Sequence, residues 1–388
     1  MKQAFLLRFS HGGGGGIESQ VLQIAGEMRK RGILEPVLVT DQTQSRLARD
    51  FSTQVGEVLF VPTGLLGIFP AAYLILREIF RGRPVALLQS HHFRESLVAR
   101  LVRWSNPNLV HVFRVQTYFE DARIPSWRKV AYYRLDALTS GWVDCYLANG
   151  THIAQALWRY ARIPKRQVRV IWDGRPDIGV PDDPTTTPEA ALSRQVALVA
   201  RIDGQKGHDD LIRTLALLRG QGLLIQARFI GEESGTLKDK ISVSEKIKRL
   251  AEELGVRSQI TFSGYISDVA RELADIPVVV LPSLREGVPN VLIEAMSLRK
   301  LVVASRVGGV PAMIENGING FLHEPRDVAG LANILGRIFC TPAISWESMR
   351  DAARETWQRR FSLDAQMTCL LDIYRDLKVI GTEVVAEL

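Results

Sequence analysis

Two glutamates eight residues apart, Glu286 and Glu294, lie in the stretch Glu286-Gly287-Val288-Pro289-Asn290-Val291-Leu292-Ile293-Glu294-Ala295, just after the β-branched run Pro277 to Leu281. Carboxylates accept hydrogen bonds from vicinal hydroxyls. Pro289 suits the first turn of a helix that runs on past Glu294, which leaves the backbone amides around Gly287, Val288, Asn290 and Val291 free for an anionic or hydroxyl-rich ligand. At about 1.5 Å per helical residue the two glutamates stand around 12 Å apart, beyond the roughly 5 to 9.5 Å of a hydrolytic carboxylate pair. Two carboxylates spaced along one elongated ligand fit better.

A second charged stretch is Ala200-Arg201-Ile202-Asp203-Gly204-Gln205-Lys206-Gly207, at the end of the run Val196 to Ala200. Arg201 and Lys206 could neutralise charge developing on a departing anion, although such residues standing alone are mostly surface charges. A third is His11-Gly12-Gly13-Gly14-Gly15-Gly16, after the apolar run Ala4 to Phe9. The dinucleotide fingerprint needs glycines at i, i+2 and i+5, and the third position falls on Ile17, Glu18 or Ser19 from any start. What remains is a loop in which Gly15 and Gly16 bring backbone N–H groups to an anion at a helix N-terminus, or a merely flexible turn. His91 and His92 follow the run Val85 to Gln89 and could face a ligand cleft, and Gln116 follows Leu109 to Val115. A glutamine donates and accepts hydrogen bonds but is neither acid nor base. No Asp-x-Asp and no His-x-x-x-His occurs, so no metal is expected.

These residues need a scaffold, and the chain supplies an α/β rhythm. Candidate strands are Ala4 to Phe9, Pro36 to Thr40, Val58 to Val61, Val85 to Gln89, Leu109 to Val115 and Cys145 to Ala148, then Val196 to Ala200, Gln226 to Ile230, Gln259 to Phe262, Pro277 to Leu281 and Leu301 to Ala304. A helix from Ile17 buries Val21, Leu22, Ile24, Ala25 and Met28 and ends at Gly32. Two Rossmann-like, doubly wound parallel sheets facing across a cleft are predicted, with ligands outside the carboxyl ends of the strands. The proline-rich stretch from Pro176 to Pro188 divides them. The predicted organisation is a domain over 1–178, a linker over 179–190, a second domain over 191–360, and a C-terminal helical segment over 361–388 packing back on the first domain.

The pattern from Ser283 to Met296, with its Glu-x7-Glu spacing, followed by Gly308-Gly309-Val310-Pro311 and by Glu315-Asn316-Gly317-Ile318-Asn319-Gly320, resembles the retaining family 4 glycosyltransferases of GT-B fold. The resemblance extends over nearly the whole chain. It implies that Glu286 lies by the donor sugar hydroxyls, that Glu294 binds the nucleotide ribose, and that Arg201 and Lys206 clamp the donor diphosphate. Phe262-Ser263-Gly264-Tyr265 resembles the segment that passes the nucleotide base, so Gly264 and Tyr265 join the donor-binding set; as a lone aromatic, Tyr265 equally suits the core. The chain departs from the family at Gln116, where a histidine usually stands near the reacting sugar. Retaining transfer in this fold is thought to rely on the donor phosphate assisting the incoming hydroxyl, so an amide there can suffice. The activity implied is metal-independent, retaining transfer of a sugar from a nucleotide sugar, a UDP-sugar before a GDP-sugar, to a glycan or lipid-linked acceptor, as in cell-surface polysaccharide or glycolipid synthesis. No cofactor is expected.

Composition bounds these readings. Of 388 residues, 46% are hydrophobic and 23% charged, which suits a two-domain globular chain. Residues 1–178 hold 24 Lys and Arg against 14 Asp and Glu, whereas the remainder holds 25 against 28. The three cysteines Cys145, Cys340 and Cys369 argue against a disulfide framework and for a reducing, cytoplasmic compartment. The most apolar run, Gly64 to Leu76, is too short to span a bilayer. That run with Tyr73, Arg77, Arg81 and Arg83, and the run Ile124 to Arg134 with Trp127, Arg128 and Lys129, mix apolar and basic residues; they suit either a lipid headgroup surface or packed helices with solvated bases. The basic half is thus the candidate membrane-facing and acceptor-side half, and no nucleic-acid partner is expected. Two other functions remain open: a dinucleotide-dependent oxidoreductase, for which Asp41 ends the second strand, and a non-catalytic nucleotide-sugar-binding relative, for which Gln116 is the hint.

Overall fold

A computed structural model describes residues 2–7, 16–41, 45–61, 68–116, 126–179, 193–233, 242–266 and 268–381. The chain divides into two units, Met1–Asp173 together with Gln366–Leu388, and Gly174–Ala365.

The first unit is built on seven strands: β1 (Gln3–Leu7), β2 (Glu35–Thr40), β3 (Val58–Phe60), β4 (Val85–Ser90), β5 (Val110–Val115), β6 (Cys145–Ala148) and β7 (Val168–Val170). They form one sheet in the order β3-β2-β1-β4-β5-β6-β7, with parallel ladders throughout. Helices cover both faces, so the inner strands are mostly apolar. Phe5, Val37, Val39 and Leu88 pack on one face against Val98 and Val102, while Leu6 and Leu38 pack on the other against Val21, Ala25 and Phe51. The helix Gly16–Lys30 ends as its sequence predicts, with Gly32 at φ +63°. The C-terminal helix Leu363–Asp376 belongs largely to this unit: Tyr374 donates to Gln89 Oε1 at 2.8 Å, and Gln366 Nε2 donates to Gln20 Oε1 at 3.1 Å.

This unit also buries an ionic network. Arg100, on the helix Phe93–Ser105, pairs with Asp136 of the helix Ser126–Thr139 and donates to Thr139. Tyr146 of β6 donates to Asp136 Oδ1 at 2.9 Å, and burial keeps its phenol protonated far above ordinary pH. A buried charge is tolerated only when paired in this way.

The second unit has six strands: β8 (Gln195–Val199), β9 (Gln226–Ile230), β10 (Ile260–Gly264), β11 (Val278–Leu281), β12 (Leu301–Ser305) and β13 (Phe321–His323). Their order is β10-β9-β8-β11-β12-β13, again parallel. Strand order runs outward in opposite directions from the β8/β11 pair, which makes that pair the topological switch point. In the first unit the same role falls to β1 and β4.

Three expectations need correction. Strands β7 and β13 are absent from the sequence prediction: each has only three residues, and Arg169 and His323 interrupt their apolar character. The units divide at Asp173/Gly174 rather than at 178, because Arg175 N–H donates to Phe361 O at 2.9 Å, Leu363 N–H donates to Arg175 O at 2.9 Å, and Asp177 pairs with Arg354 at 2.5 Å. Residues 174–179 are therefore stitched into the second unit, and the rest of the predicted linker, 180–190, lies outside the described residues. The C-terminal helix begins at Leu363, after a π-type turn over Trp357–Phe361.

Candidate functional site

In the second unit the loops leaving β8, β11 and β12 emerge side by side at the carboxyl edge of the sheet. Glycines let them touch. Gly207 sits at φ +69°, where a Cβ would come within 1.9 Å of the Pro282 carbonyl oxygen, and Leu284 N–H donates to Gln205 O at 2.8 Å. Gly308 sits at φ +52°, where a Cβ would come within 1.7 Å of the Glu286 carbonyl oxygen, and Gly309 N–H donates to Gly287 O at 3.0 Å. The Glu286–Gly287 turn is thus held between the loops on either side of it.

Within this frame Lys206 Nζ lies 2.8 Å from Glu286 Oε1, and Ser283 Oγ donates to the same oxygen at 2.7 Å. The resemblance gives Lys206 to a phosphate and Glu286 to a sugar; the structure joins them as an ion pair across the switch point, 80 residues apart in sequence. Each charge fixes the other's side chain. Pro289 stands one position earlier than expected: it caps the helix Asn290–Ser297 instead of opening its first turn. Asn290 Oδ1 is buried without a hydrogen-bond partner among the described residues, so it is an acceptor turned away from the protein's own donors. Val291 follows it in the first turn.

Glu294 lies in the same helix, 3.6 Å from Arg175 Nε. Burial lifts its carboxyl above the usual carboxylate range, and the Arg175 guanidinium draws it part of the way back. Arg201 is 69% exposed in its side chain and lies 4.0 Å from Asp203 Oδ2, so it stands at the surface and not in the core. Gly264 closes β10 at φ +69°, and Tyr265 after it is 60% exposed, which removes the core reading of that tyrosine.

Sequence reasoning passed over two groups here and saw a third only within a motif. His208 opens the helix His208–Gly220 beside Lys206; it is buried, neither ring nitrogen finds a partner among the described residues, and burial pushes its pKa down to about 4, so it is a neutral hydrogen-bonding group. Arg175 is the partner of Glu294, and its distance in sequence hides it. Gly308 is visible only as part of a motif, without a sign of what it touches.

In the first unit, Gly15 lies outside the described residues and Gly16 is the first residue of its helix. His91 is buried: Gln89 Oε1 accepts from Tyr374, so the Gln89 amide nitrogen faces His91 Nε2 at 3.0 Å and donates to it. His92 occupies the N-cap of the next helix without a side-chain cap bond. Gln116, just past β5, is buried with Oε1 unpartnered among the described residues. Among those residues no group of three His, Cys, Asp or Glu is placed to share a metal ion, and no helix is long and apolar enough to cross a membrane.

Two family models match this chain. Glycosyltransferase Family 4 matches residues 14–175, and Glycosyl transferases group 1 matches residues 193–340. The D-inositol 3-phosphate glycosyltransferase of Streptomyces avermitilis is 28% identical over 311 residues, covering 74% of this chain and 64% of that protein, a little under two thirds of its length. The protein of the same name from Rhodococcus erythropolis is 26% identical over 403 residues, with 95% of this chain and 88% of that one covered. Among solved structures, Anabaena HepE in complex with UDP superposes with a TM-score of 0.81 at 20% identity, over 97% of this chain and 100% of that one. The same protein in complex with UDP-glucose gives 0.78 at 19% identity, over 97% and 100%. At such identity these structures speak for the fold.

Proposed function

The chain belongs to the group 1, family 4 glycosyltransferases of GT-B fold, and from that premise we propose that it moves a sugar, with retention of configuration and without a metal, from a UDP-sugar to a glycan or lipid-linked acceptor in cell-surface polysaccharide or glycolipid synthesis. The oxidoreductase alternative falls with the family. The observation that carries the proposal is the Lys206–Glu286 pair at the β8/β11 switch point, with Glu294 in the helix Asn290–Ser297 that follows. UDP in the HepE complexes supports the choice of nucleotide.

On this reading the bond between the anomeric carbon and the β-phosphate oxygen breaks while the acceptor oxygen bonds to the same carbon. The acceptor's proton passes to the departing phosphate, and a nucleoside diphosphate is released. Lys206 and Arg201 meet the charge that grows on that phosphate. Glu286 and Glu294 accept hydrogen bonds from sugar and ribose hydroxyls. Gln116 contributes an amide that can hold a hydroxyl in place.

Glu294→Ala tests the donor site. Loss of a charge-assisted hydrogen-bond set should weaken UDP binding by about 1.5 to 3 kcal/mol with the fold intact. Calorimetry that finds unchanged affinity in a folded variant removes Glu294 from the donor site. The pH dependence has a definite sign: the ionised carboxylate is the acceptor, so UDP-glucose affinity falls as pH drops through the raised Glu294 value, at a higher pH than an ordinary glutamate would give. Glu294→Gln should flatten that limb, and Arg175→Gln should move it upward. Detection of an α- or β-linked product by NMR against the donor's configuration tests retention.

A further inference from the structure

The helix Ser126–Thr139 is built inside out. At 100° per residue Trp127, Val130, Ala131, Arg134, Leu135 and Leu138 share one stripe, and all six are exposed, Trp127 at 67% and Leu138 at 83%. The face toward the protein carries Asp136, held there by Arg100 and by the hydroxyl of Tyr146, with Tyr132 edge-on to Phe93 and Tyr133 stacked on Tyr160. A surface helix normally buries its apolar stripe and shows its charges to water. Here the buried ion pair and the two tyrosines are turned inward together, and the stripe from Trp127 to Leu138 is left outward. Trp142 follows on the same segment, and its ring lies 6.5 Å from that of Trp104, itself 62% exposed.

Along the helix and the turn after it the exposed charge has one sign, and the acid just beyond, Asp144, is paired with Arg103. Between Ser126 and Trp142 the bases are Arg128, Lys129 and Arg134, and the one acid is the buried Asp136. The Arg128 guanidinium stands 5.2 Å from the Trp127 ring centroid, a basic group and an interfacial aromatic side by side. Tryptophans with interleaved bases are what the boundary of an anionic bilayer accommodates: the rings enter the headgroup layer, and the cations meet lipid phosphates. A second copy of this chain fits worse, since an isologous contact would set three bases against three.

We propose that the outward stripe of Ser126–Thr139, with Trp104 and Trp142, is a docking surface for an anionic lipid bilayer. The docking stands on this geometry alone; that it brings the enzyme to a lipid-linked acceptor rests on the function proposed above.

The test is co-sedimentation of the full chain with vesicles of phosphatidylcholine, and of phosphatidylcholine with one quarter phosphatidylglycerol, in the absence of any sugar acceptor. The wild-type chain should bind the anionic vesicles at least tenfold more tightly than the neutral ones, and rising salt should release it. Trp127→Glu with Leu138→Glu should lose tenfold or more of the binding while leaving UDP affinity and melting temperature unchanged. Arg128→Gln and Arg134→Gln should each reduce the anionic preference about fivefold. The proposal is overturned if the wild-type chain ignores anionic vesicles, if the charge variants bind as it does, or if light scattering shows a dimer that Trp127→Glu with Leu138→Glu converts to monomer. UDP binding without vesicle binding would leave the donor reading standing and remove this one.

Discussion

Gly308→Ala should abolish most of the transfer activity, by about 10²-fold or more in kcat/KM, although it adds a single methyl group and removes no functional side chain. The reason lies in the stacking of loops at the edge of the second sheet. A Cβ at Gly308 would sit 1.7 Å from the Glu286 carbonyl oxygen, and φ +52° already disfavours a side chain there. To reach ordinary contact the Glu286–Gly287 peptide must retreat by more than an ångström, and the hydrogen bond from Gly309 N–H to Gly287 O retreats with it. Misplacement on that scale costs catalysis about 10²-fold even where chemistry is otherwise intact. Positive φ at a non-glycine residue adds about 1 to 3 kcal/mol of strain, so the melting temperature should also drop by several degrees. Steady-state transfer and thermal melting on the same variant decide the matter. Near-wild-type kcat/KM would show that the turn absorbs the methyl and that the site does not depend on its register.

The comparison of Gly308 with Glu286 shows where sequence reading ends. Glu286, Glu294 and Lys206 are legible because their types and spacing declare a chemistry. Their arrangement is not, because it depends on β8 lying beside β11, an adjacency created by strand order and not by nearness in the chain. The strands themselves are legible where burial on both faces makes them continuously apolar, as in Cys145–Ala148 and Val278–Leu281, all eight of whose residues are buried. Val168–Val170 and Phe321–His323 escape because each edge strand is short and carries a polar residue. The helix Ser126–Thr139 is the sharpest case. Its mixture of aromatic and basic residues permits either face inward, and the partners that receive the inward face are Arg100, 36 residues before Asp136, and the rings of Phe93 and Tyr160 against Tyr132 and Tyr133. Long-range contacts that the spacing does not declare decide which face goes in.

Lys206→Met and Glu286→Gln should each lower kcat by about 10² to 10³, and the double variant should be no more than marginally worse than either single one. Lys206 is the cation best placed at the switch point, and neutralising charge on a leaving phosphate is where a fixed cation contributes most. Because that charge appears in the transition state, kcat should suffer more than donor affinity, with UDP-glucose binding weakened far less than turnover. Glu286→Gln keeps the shape of the side chain but removes the charge that holds Lys206, so it should disable the same step through its neighbour and by weakening its own hydrogen bonds to hydroxyls. Residues that act as one unit give non-additive losses, which is why the double variant matters. A purely structural pair behaves differently: each single variant would leave one partly buried charge unpaired and destabilise the fold, and the double variant, with no unpaired charge, would recover stability and turnover together. Recovery of turnover in the double variant, or wild-type kcat in either single one, would sink the catalytic assignment of Lys206 and Glu286.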